Sequence, residues 1–180
     1  MIEIELTYHL LKPDDLKKRL NSISEFVGES VQIDTYYVPA HNNFLAEKPI
    51  LKWLRLRESG KKNSVTYKKW HGVGGVSCDE YETVVEDARE MKKIFSQLDF
   101  KEIVVVEKRR QIWNFKKAEI TIDHVKDFGV YIEIEAKGDF KDIKEAEKYL
   151  YEILKEIKAE VGDQEFKGYP HRLLEKKGLI

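Results

Sequence analysis

Pairs of like charges spaced two residues apart recur along the chain, each within a segment that has the composition of a β-strand. Residues two apart in a strand lie on the same face, so each segment has one apolar and one charged face. The pairs are Glu3/Glu5, Arg55/Arg57, Glu80/Glu82, Lys108/Arg110 and Glu133/Glu135. Acids lie on some strands and bases on others, which is typical of a site that holds a polyanion with metal ions. The alternative is that the charged faces are outer faces in contact with water.

Composition limits the classes of protein that the chain can belong to. Of its 180 residues, 42% are hydrophobic and 36% are charged, which indicates a folded domain. The net charge of −1, from 32 bases and 33 acids, argues against a nucleic-acid partner. We expect no membrane span and no secretory signal, because no long apolar run is present and the first residues are acidic. With Cys78 as the only cysteine, these features predict one cytoplasmic domain over residues 1–180.

The hydrophobic pattern predicts many strands and few helices. Strands are expected at 2–9, 31–38, 51–58, 64–70, 77–86, 101–110, 111–116, 118–125 and 129–136, and helices at about 13–23, 87–98, 140–160 and 169–177. A hairpin turn at 60–63 is expected to join two of the strands. This order predicts an α+β fold, with a closed or nearly closed antiparallel β-barrel of about eight strands and helices packed outside it.

The charged motifs follow one another in a defined order. They are Glu3-Ile4-Glu5-Leu6-Thr7, Asp34 to Tyr37, Leu54 to Glu58, Tyr67-Lys68-Lys69, Asp79 to Glu82, Glu107 to Arg110 with Trp113, Asp123-His124-Val125 with Gly129, and Glu133-Ile134-Glu135. None is specific alone. In this order and spacing, the chain resembles the CYTH family, the triphosphate tunnel metalloenzymes, over residues 3–135 and more loosely to 174. That family includes class IV adenylyl cyclases, thiamine triphosphatases and inorganic tripolyphosphatases.

The resemblance implies a charged tunnel that binds a triphosphate with Mg²⁺ or Mn²⁺. Clustered buried carboxylates must be neutralised by protons, bases or metal ions. The implied metal ligands are mainly Glu3, Glu5, Glu133 and Glu135, with Asp123 and Glu82 as second choices. All of these except Glu82 are also implied as catalytic residues. The implied phosphate-binding residues are Arg55, Arg57, Lys68, Lys108 and Arg110. For each residue the alternative is a solvated surface charge, and strand alternation places Arg109 and Lys69 on the opposite face.

One position departs from the family pattern. The opening motif of the family ends in a lysine that helps to bind or activate the triphosphate, and this chain has Thr7 there. His9 lies two residues further on and could place partial positive charge nearby, or it could be an ordinary histidine at the barrel rim. Because of this departure, a further alternative is a protein that binds a triphosphate without converting it to product.

The predicted function is metal-dependent hydrolysis of an inorganic or organic triphosphate. The alternatives are a class IV adenylyl cyclase that makes cyclic AMP and pyrophosphate, and the non-catalytic module. The aromatic residues Tyr36, Tyr37, Trp53 and Trp70 could stack on an organic group or could be core. The glycine-rich stretch 72–75 lacks the lysine of a phosphate loop and is expected to be a connection. We expect a small-molecule triphosphate as partner and a monomer or homodimer.

Overall fold

Nine strands and four α-helices make up the described part of the chain. The computed structural model describes residues 2–60, 62–72 and 75–180. The strands are β1 (Ile2–Leu10), β2 (Glu25–Val38), β3 (Lys52–Glu58), β4 (Asn63–Trp70), β5 (Ser77–Val85), β6 (Lys101–Phe115), β7 (Ala118–Val125), β8 (Gly129–Ala136) and β9 (Val161–Gln164). The helices are α1 (Pro13–Ile23), α2 (Ala88–Gln97), α3 (Ile143–Glu156) and α4 (Gly168–Lys176), with a 3₁₀ turn at Phe44–Ala46.

The strands form one sheet in the order β5-β4-β3-β2-β6-β7-β8-β1-β9, and β5 also pairs with β1. Because β5 pairs with β1 as well as with β4, the eight strands from β5 to β1 in this order form a ring. They are not spaced evenly round an axis. The predicted fold class, an antiparallel ring of about eight strands with helices, is confirmed. The prediction of a single domain over residues 1–180 stays a prediction.

Several predicted boundaries differ from the structure. The two strands expected at 101–110 and 111–116 are one continuous strand, β6. Its buried positions change from even-numbered to odd-numbered between Lys108 and Gln111, which explains the apparent break in the pattern. Strand β2 begins six residues earlier than predicted, α3 is shorter than predicted, and β9 was not predicted at all. Lys61 of the expected hairpin turn, and Val73 and Gly74 of the glycine-rich stretch, lie outside the described residues.

The chain divides into two compact units. The first contains Ile2, Val31–Glu107 and Lys167–Ile180, and the second contains Glu3–Ser30 and Lys108–Phe166. In the first unit, α2 packs against the apolar face of β3. Tyr37, Leu56, Ala88 and Phe95 form a buried cluster there, and the rings of Tyr37 and Phe95 lie 4.9 Å apart. Asp87 caps α2, and its side chain accepts hydrogen bonds from the backbone N–H groups of Arg89 and Glu90.

In the second unit, α3 covers the apolar face of β8. Ile132 and Ile134 of β8 and Leu150 of α3 are fully buried. Trp113 of β6 is also fully buried, and its indole nitrogen donates a hydrogen bond to Asn21 Oδ1 over 2.8 Å. In both units the apolar strand faces pack on helices, so the charged faces are the opposite ones. None of the helices built from the described residues has the length and apolar content to cross a bilayer.

Candidate functional site: the charged strand faces

The register of β2 to β5 aligns charged and aromatic side chains on one face of the first unit. We call this the first charged face. Its cross-strand pairs are Asp34 with Arg57, Tyr36 with Arg55, Arg55 with Thr66, Thr66 with Glu82, Trp53 with Lys68 and Lys68 with Glu80. Residues opposite each other in neighbouring strands lie on the same side of the sheet. The register therefore brings together three predicted phosphate-binding residues and one predicted metal ligand of this unit.

Two arginines share one buried carboxylate on the first charged face. Arg57 donates from Nε and Nη2 to the two carboxylate oxygens of Asp34, over 2.6 and 2.7 Å. Arg55 Nη1 lies 3.7 Å from the same carboxylate. The side chain of Asp34 is only 2% exposed and those of Arg55 and Arg57 are 12% and 13% exposed. These charges do not face water, so the surface-charge alternative does not describe them.

Arg55 is bound on its other side by hydroxyl and carboxylate groups. Its Nη2 donates to Thr66 Oγ1 over 2.9 Å, and the Thr66 hydroxyl donates to Glu82 Oε2 over 3.0 Å. Burial alone would lower the pKa of Arg55, but nearby acidic groups, Asp34 first, raise it overall, so the guanidinium is always charged. Among the described residues, Arg55 Nε is buried without a hydrogen-bond partner. A ligand oxygen could accept from this nitrogen.

Lys68 lies one cross-strand row beyond Arg55. Its ammonium is 3.4 Å from Glu80 Oε2, and both side chains are 19% exposed. Sequence reasoning named Glu82 as a ligand and left Glu80 unassigned, although the two acids form one i, i+2 pair. In the structure Glu80 contacts Lys68, and Glu82 contacts the Arg55 and Thr66 pair. Each acid thus holds a different base in place.

Two aromatic residues share the first charged face with these bases. Tyr36 and Trp53 are buried, and their rings lie 5.8 Å apart in an edge-to-face arrangement. Trp53 also meets the imidazole of His171 from α4, with ring centroids 6.4 Å apart. Burial raises the pKa of Tyr36 to about 12, so its hydroxyl stays neutral. Tyr37, by contrast, belongs to the apolar cluster on the other face. We call Tyr36, Trp53 and His171 the aromatic wall.

A second charged face lies in the second unit. Across β6, β7, β8 and β1 the register gives three rows: Arg110, Asp123, Tyr131 and His9; Ile112, Thr121, Glu133 and Thr7; Asn114, Glu119, Glu135 and Glu5. The predicted ligands Glu5, Glu133 and Glu135 therefore lie in adjacent rows of neighbouring strands, on the face that also carries Arg110. We call the third row, which contains Glu119, Glu135 and Glu5, the acidic row.

Asp123 holds two predicted phosphate-binding residues. Its Oδ2 accepts from Lys108 Nζ over 2.7 Å, and Arg110 donates from Nε to Oδ1 over 2.7 Å. The Asp123 side chain is fully buried. Arg110 also contacts the carboxylate of Glu133. Asp123 thus orients two bases, and the metal ligation that the resemblance implies for it stays a prediction. Arg109 is more than half exposed and pairs with Glu29, which is consistent with its place on the opposite strand face.

One lysine, Lys137, lies beside the acidic row. Lys137 Nζ lies 2.5 Å from Glu135 Oε1. Burial raises the pKa of the Glu135 carboxyl, the contact with Lys137 opposes the shift, and the negative charges of Glu3 and Glu119 add to it. The carboxylates of Glu3 and Glu119 are therefore each close enough to Glu135 to disfavour its charged form. Neither Glu119 nor Lys137 was predicted as a site residue.

Thr7 lies opposite Glu133, which is bound by Arg110. On the other side of Glu133 in the same row is Thr121, which is 3% exposed. Among the described residues, no group hydrogen-bonds to Thr121 Oγ1. His9 lies in the next row and packs edge-on against Tyr131, with ring centroids 5.5 Å apart. The row that lacks the family lysine thus contains a buried hydroxyl that a ligand could satisfy.

Six residues of the two faces were not predicted from the sequence as site residues: Asp34, Thr66, Glu80, Glu119, Thr121 and Lys137. Asp34 lies inside the Asp34 to Tyr37 motif and is the only charged residue of the strand predicted at 31–38, which was a usable signal. Lys137 follows Glu133 and Glu135 at the same spacing of two. Thr66 and Glu119 carried no local signal, because their roles depend on which strand lies beside them.

The donor set suits a hard divalent cation only in part. Carboxylate oxygens are the ligands that Mg²⁺ and Mn²⁺ prefer. Within the described ranges, no three His, Cys, Asp or Glu side chains form a group that could hold a metal ion. Mg²⁺ in phosphate-transferring enzymes commonly takes one or two carboxylates and completes its shell with phosphate oxygens and water. The acidic row of the second face offers carboxylate oxygens for that mode of binding.

The fold is an antiparallel ring of eight strands, and two groups of these strands each carry a face of charged side chains. The sequence matches the CYTH domain family over residues 1–169, and the chain belongs to that family. CYTH proteins are triphosphatases or adenylyl cyclases and generally depend on divalent metals.

Known proteins resemble this chain over most of its length. A Methanocaldococcus jannaschii protein, provisionally named an adenylate cyclase, is 30% identical over 165 residues, covering 88% of this chain and 89% of its own. The PH1819 protein of Pyrococcus horikoshii OT3 is 28% identical, with a TM-score of 0.82 over 97% of this chain and 99% of that one. A Hippeastrum protein is provisionally named an adenylyl cyclase and is described as having a dominant triphosphatase activity. It is 18% identical with a TM-score of 0.63, over 99% of this chain and 97% of that one. At that identity the likeness shows the fold alone.

Proposed function

We propose that this protein hydrolyses a triphosphate with the help of a divalent metal ion. The observation that supports this most directly is the charge distribution on the second charged face. This face carries six carboxylates and three basic groups, so negative charge is in excess. The acids are Glu3, Glu5, Glu119, Asp123, Glu133 and Glu135, and the bases are Lys108, Arg110 and Lys137. An excess of partly buried negative charge favours a bound cation, and the bases on the same face favour an anion.

The chain's own residues supply the phosphate contacts. On each face, acidic side chains hold positively charged groups in fixed positions. These groups belong to Arg55, Arg57 and Lys68 on the first face and to Lys108 and Arg110 on the second. A planar guanidinium binds two phosphate oxygens at once, whereas an ammonium acts as a point charge. Pre-positioned positive charge stabilises the charge that develops on the phosphoryl oxygens during transfer. Asp34 and Asp123 are positioning residues in this scheme, because they act through the arginines.

The residues that would hold the metal are Glu3, Glu5, Glu133 and Glu135. The two second choices already contact basic side chains: Asp123 contacts Lys108 and Arg110, and Glu82 contacts Arg55. A bound Mg²⁺ or Mn²⁺ ion would orient the triphosphate and lower the pKa of the attacking water. Thr121 contributes a buried hydroxyl beside Glu133, which can donate to a phosphate oxygen or hold a water. Hydrolysis requires only that water reaches the terminal phosphorus, and this demands less of the protein than a placed ribose.

The aromatic wall supports an organic triphosphate over inorganic tripolyphosphate. Tyr36 and Trp53 lie on the same strand face as Arg55, so an aromatic group attached to a phosphate chain would meet them beside the guanidinium. Aromatic faces stack on flat ring systems. The same wall also supports the second candidate, an adenylyl cyclase, since that reaction needs a bound adenine. The provisional name of the M. jannaschii relative agrees with this alternative.

A product assay tests the proposal. The purified protein is incubated with Mg²⁺ or Mn²⁺ and, separately, with tripolyphosphate, thiamine triphosphate and ATP, and orthophosphate, pyrophosphate and cyclic AMP are resolved. Glu133→Gln removes a proposed metal ligand, and Glu152→Gln on the exposed side of α3 is the matched control. We expect orthophosphate from the wild type and the control, and a loss of at least about a hundredfold in Glu133→Gln.

Other outcomes identify the alternatives. Cyclic AMP with pyrophosphate as the main products would replace the hydrolase with the cyclase. Metal-dependent binding of a triphosphate with no product would indicate the non-catalytic module. Equal rates in Glu133→Gln and the wild type would remove the second charged face from the reaction. Circular dichroism of each variant separates a lost site from a lost fold.

A further inference from the structure

Lys137 is held at the end of β8 by its backbone. Its N–H donates to the carbonyl of Lys117 over 2.8 Å, which continues the pairing of β7 and β8 by one residue. The next residue, Gly138, has a φ of +122°, and a Cβ there would lie 3.6 Å from the Lys117 side chain. The chain therefore leaves the strand directly after Lys137. The hydrogen bond to Lys117 fixes the backbone of Lys137, and so the position of its Cα.

The ammonium of Lys137 lies among the acids of the second charged face. It contacts Glu135 Oε1, and the side chain of Lys137 is 49% exposed while that of Glu135 is 22% exposed. Burial lowers the pKa of Lys137, but the contact with Glu135 and the charges of Glu119 and Glu3 outweigh it and raise the pKa overall. The charges of Glu3 and Glu119 also act on Glu135 and raise the pKa of its carboxyl. One protein cation thus neutralises part of a three-carboxylate cluster.

Two of these acids, Glu3 and Glu135, are metal ligands in the proposed function, on which this inference rests. A lysine ammonium and a divalent cation seek the same carboxylate oxygens. They cannot both bind Glu135 Oε1 without bringing two positive charges into contact. The side chain of lysine is flexible and half exposed here, so it can leave Glu135 without disturbing the strand.

We propose that Lys137 is a displaceable internal cation that competes with the divalent metal for Glu135. In the absence of triphosphate it weakens the binding of free metal. If metal and triphosphate entered together, Glu3, Glu5, Glu133 and Glu135 would hold the metal, and the displaced ammonium of Lys137 would donate hydrogen bonds to phosphate oxygens instead of to Glu135. The metal therefore binds best as its triphosphate complex, and Lys137 contributes a phosphate contact that sequence reasoning did not predict.

Direct measurement of Mn²⁺ binding tests this inference. Bound and free Mn²⁺ are distinguished by electron paramagnetic resonance of the full-length protein, without and with a nitrogen-bridged triphosphate analogue that resists hydrolysis. The variants are Lys137→Met, Lys137→Arg, Glu135→Gln and Lys144→Met. Lys137→Met keeps the length of the side chain and removes the charge, and Lys137→Arg keeps the charge. Lys144→Met removes an exposed charge on α3 in the same unit.

We expect Lys137→Met to bind free Mn²⁺ about fivefold more tightly than the wild type, the effect of removing one partly exposed ion pair. With the analogue present, this advantage should shrink or reverse. Lys137→Arg and Lys144→Met should match the wild type, and Glu135→Gln should bind less tightly. Circular dichroism checks the fold of each variant.

Three results would overturn the inference, and they have different meanings. If Lys137→Met matches the wild type while Glu135→Gln loses affinity, the metal site stands and the competition does not exist. If Lys137→Arg gains affinity as much as Lys137→Met, charge is not the cause. If neither the wild type nor Lys137→Met binds Mn²⁺, even with the analogue, the proposed metal-dependent function fails together with this inference.

Discussion

Arg57 holds Asp34 through two parallel hydrogen bonds, Nε to Oδ1 over 2.6 Å and Nη2 to Oδ2 over 2.7 Å. This bidentate geometry fixes the plane of the guanidinium. Because Asp34 is almost completely buried, the pair is shielded from water and from salt. In the proposed function, a triphosphate at this position would meet an arginine whose orientation is already determined, which would reduce the ordering that binding requires.

Substitution of Asp34 by Asn should destabilise the fold. The change leaves Arg57 and Arg55 without the carboxylate between them, and removing one partner of a buried ion pair costs about 3 kcal/mol. Urea denaturation followed by circular dichroism measures the loss. The exposed Asp99→Asn is the matched control and should stay within about 0.5 kcal/mol of the wild type. A loss in Asp34→Asn no larger than in the control would show that the arginines do not need this acid.

Much of the strand layout could be predicted because it depends on local patterns. The alternation of apolar and charged residues located most strands, and the helix predicted at 87–98 agrees with α2 to within one residue at each end. The motif order also identified the family. The missed strand β9 has only four residues, Val161–Gln164, and no alternation that could reveal it.

The orientation of the charged faces could not be predicted from local patterns. A period of two shows that Arg55 and Leu56 lie on opposite faces, but it does not show which face is buried. The structure answers this through contacts that are distant in sequence, since α2 packs on Leu56 and leaves Arg55 among Asp34 and Thr66. The pairing of Asp123 with both Lys108 and Arg110 likewise depends on the register of β6 and β7.

Thr121→Val should make the protein more stable and bind triphosphate less well. The hydroxyl of Thr121 is buried without a hydrogen-bond partner among the described residues, and an unsatisfied buried polar group costs about 1 kcal/mol or more. Valine has nearly the same shape and removes that cost. We expect a gain of about 1 kcal/mol in urea denaturation and weaker binding of a triphosphate analogue by calorimetry.

Thr121→Ser separates the two effects, because it keeps the hydroxyl and loses a methyl group. It should be less stable than the wild type yet bind the analogue equally well. If Thr121→Val gains stability and keeps full affinity, the hydroxyl does not contact the ligand.

Stability should fall in mild acid, partly because of His171. Burial lowers the pKa of this imidazole below its ordinary value. Between the lowered value and about 6.5, the unfolded chain binds a proton that the folded chain does not, so folding stability decreases as the pH drops through that window. His171→Gln should lose less stability than the wild type between pH 7.5 and pH 5.5, measured from urea midpoints at both values.

His41→Gln is the control, since it replaces an exposed histidine of the same unit. It should follow the wild type at both pH values. A wild-type decrease that is unchanged in His171→Gln would assign the acid sensitivity to other groups.

Trp53→Leu should change substrate preference. Trp53 lies on the charged strand face beside Tyr36, where an organic group joined to the triphosphate would stack. We expect kcat/KM for thiamine triphosphate and for ATP to fall about tenfold relative to kcat/KM for tripolyphosphate, since stacking on an aromatic residue contributes about 1 kcal/mol or more. Steady-state kinetics with all three substrates measure the ratio.

Tyr37→Leu is the matched control for this change. Tyr37 is equally buried but packs against Phe95 on the opposite face, so its loss should lower stability without altering the preference. If both variants shift the ratio by the same factor, the effect comes from general loosening of the strands and the aromatic wall does not select the substrate.

Thr7→Lys should raise the rate of triphosphate hydrolysis. The position lies opposite Glu133, so a lysine there would place an ammonium in the row between Arg110 and the acidic row. One further positive group on the phosphoryl oxygens is expected to raise kcat/KM about tenfold. Thr7→Met has a similar length without the charge and should show no gain. An unchanged rate in a well-folded Thr7→Lys would mean that this position does not limit turnover, and that the existing bases already supply the charge the reaction needs.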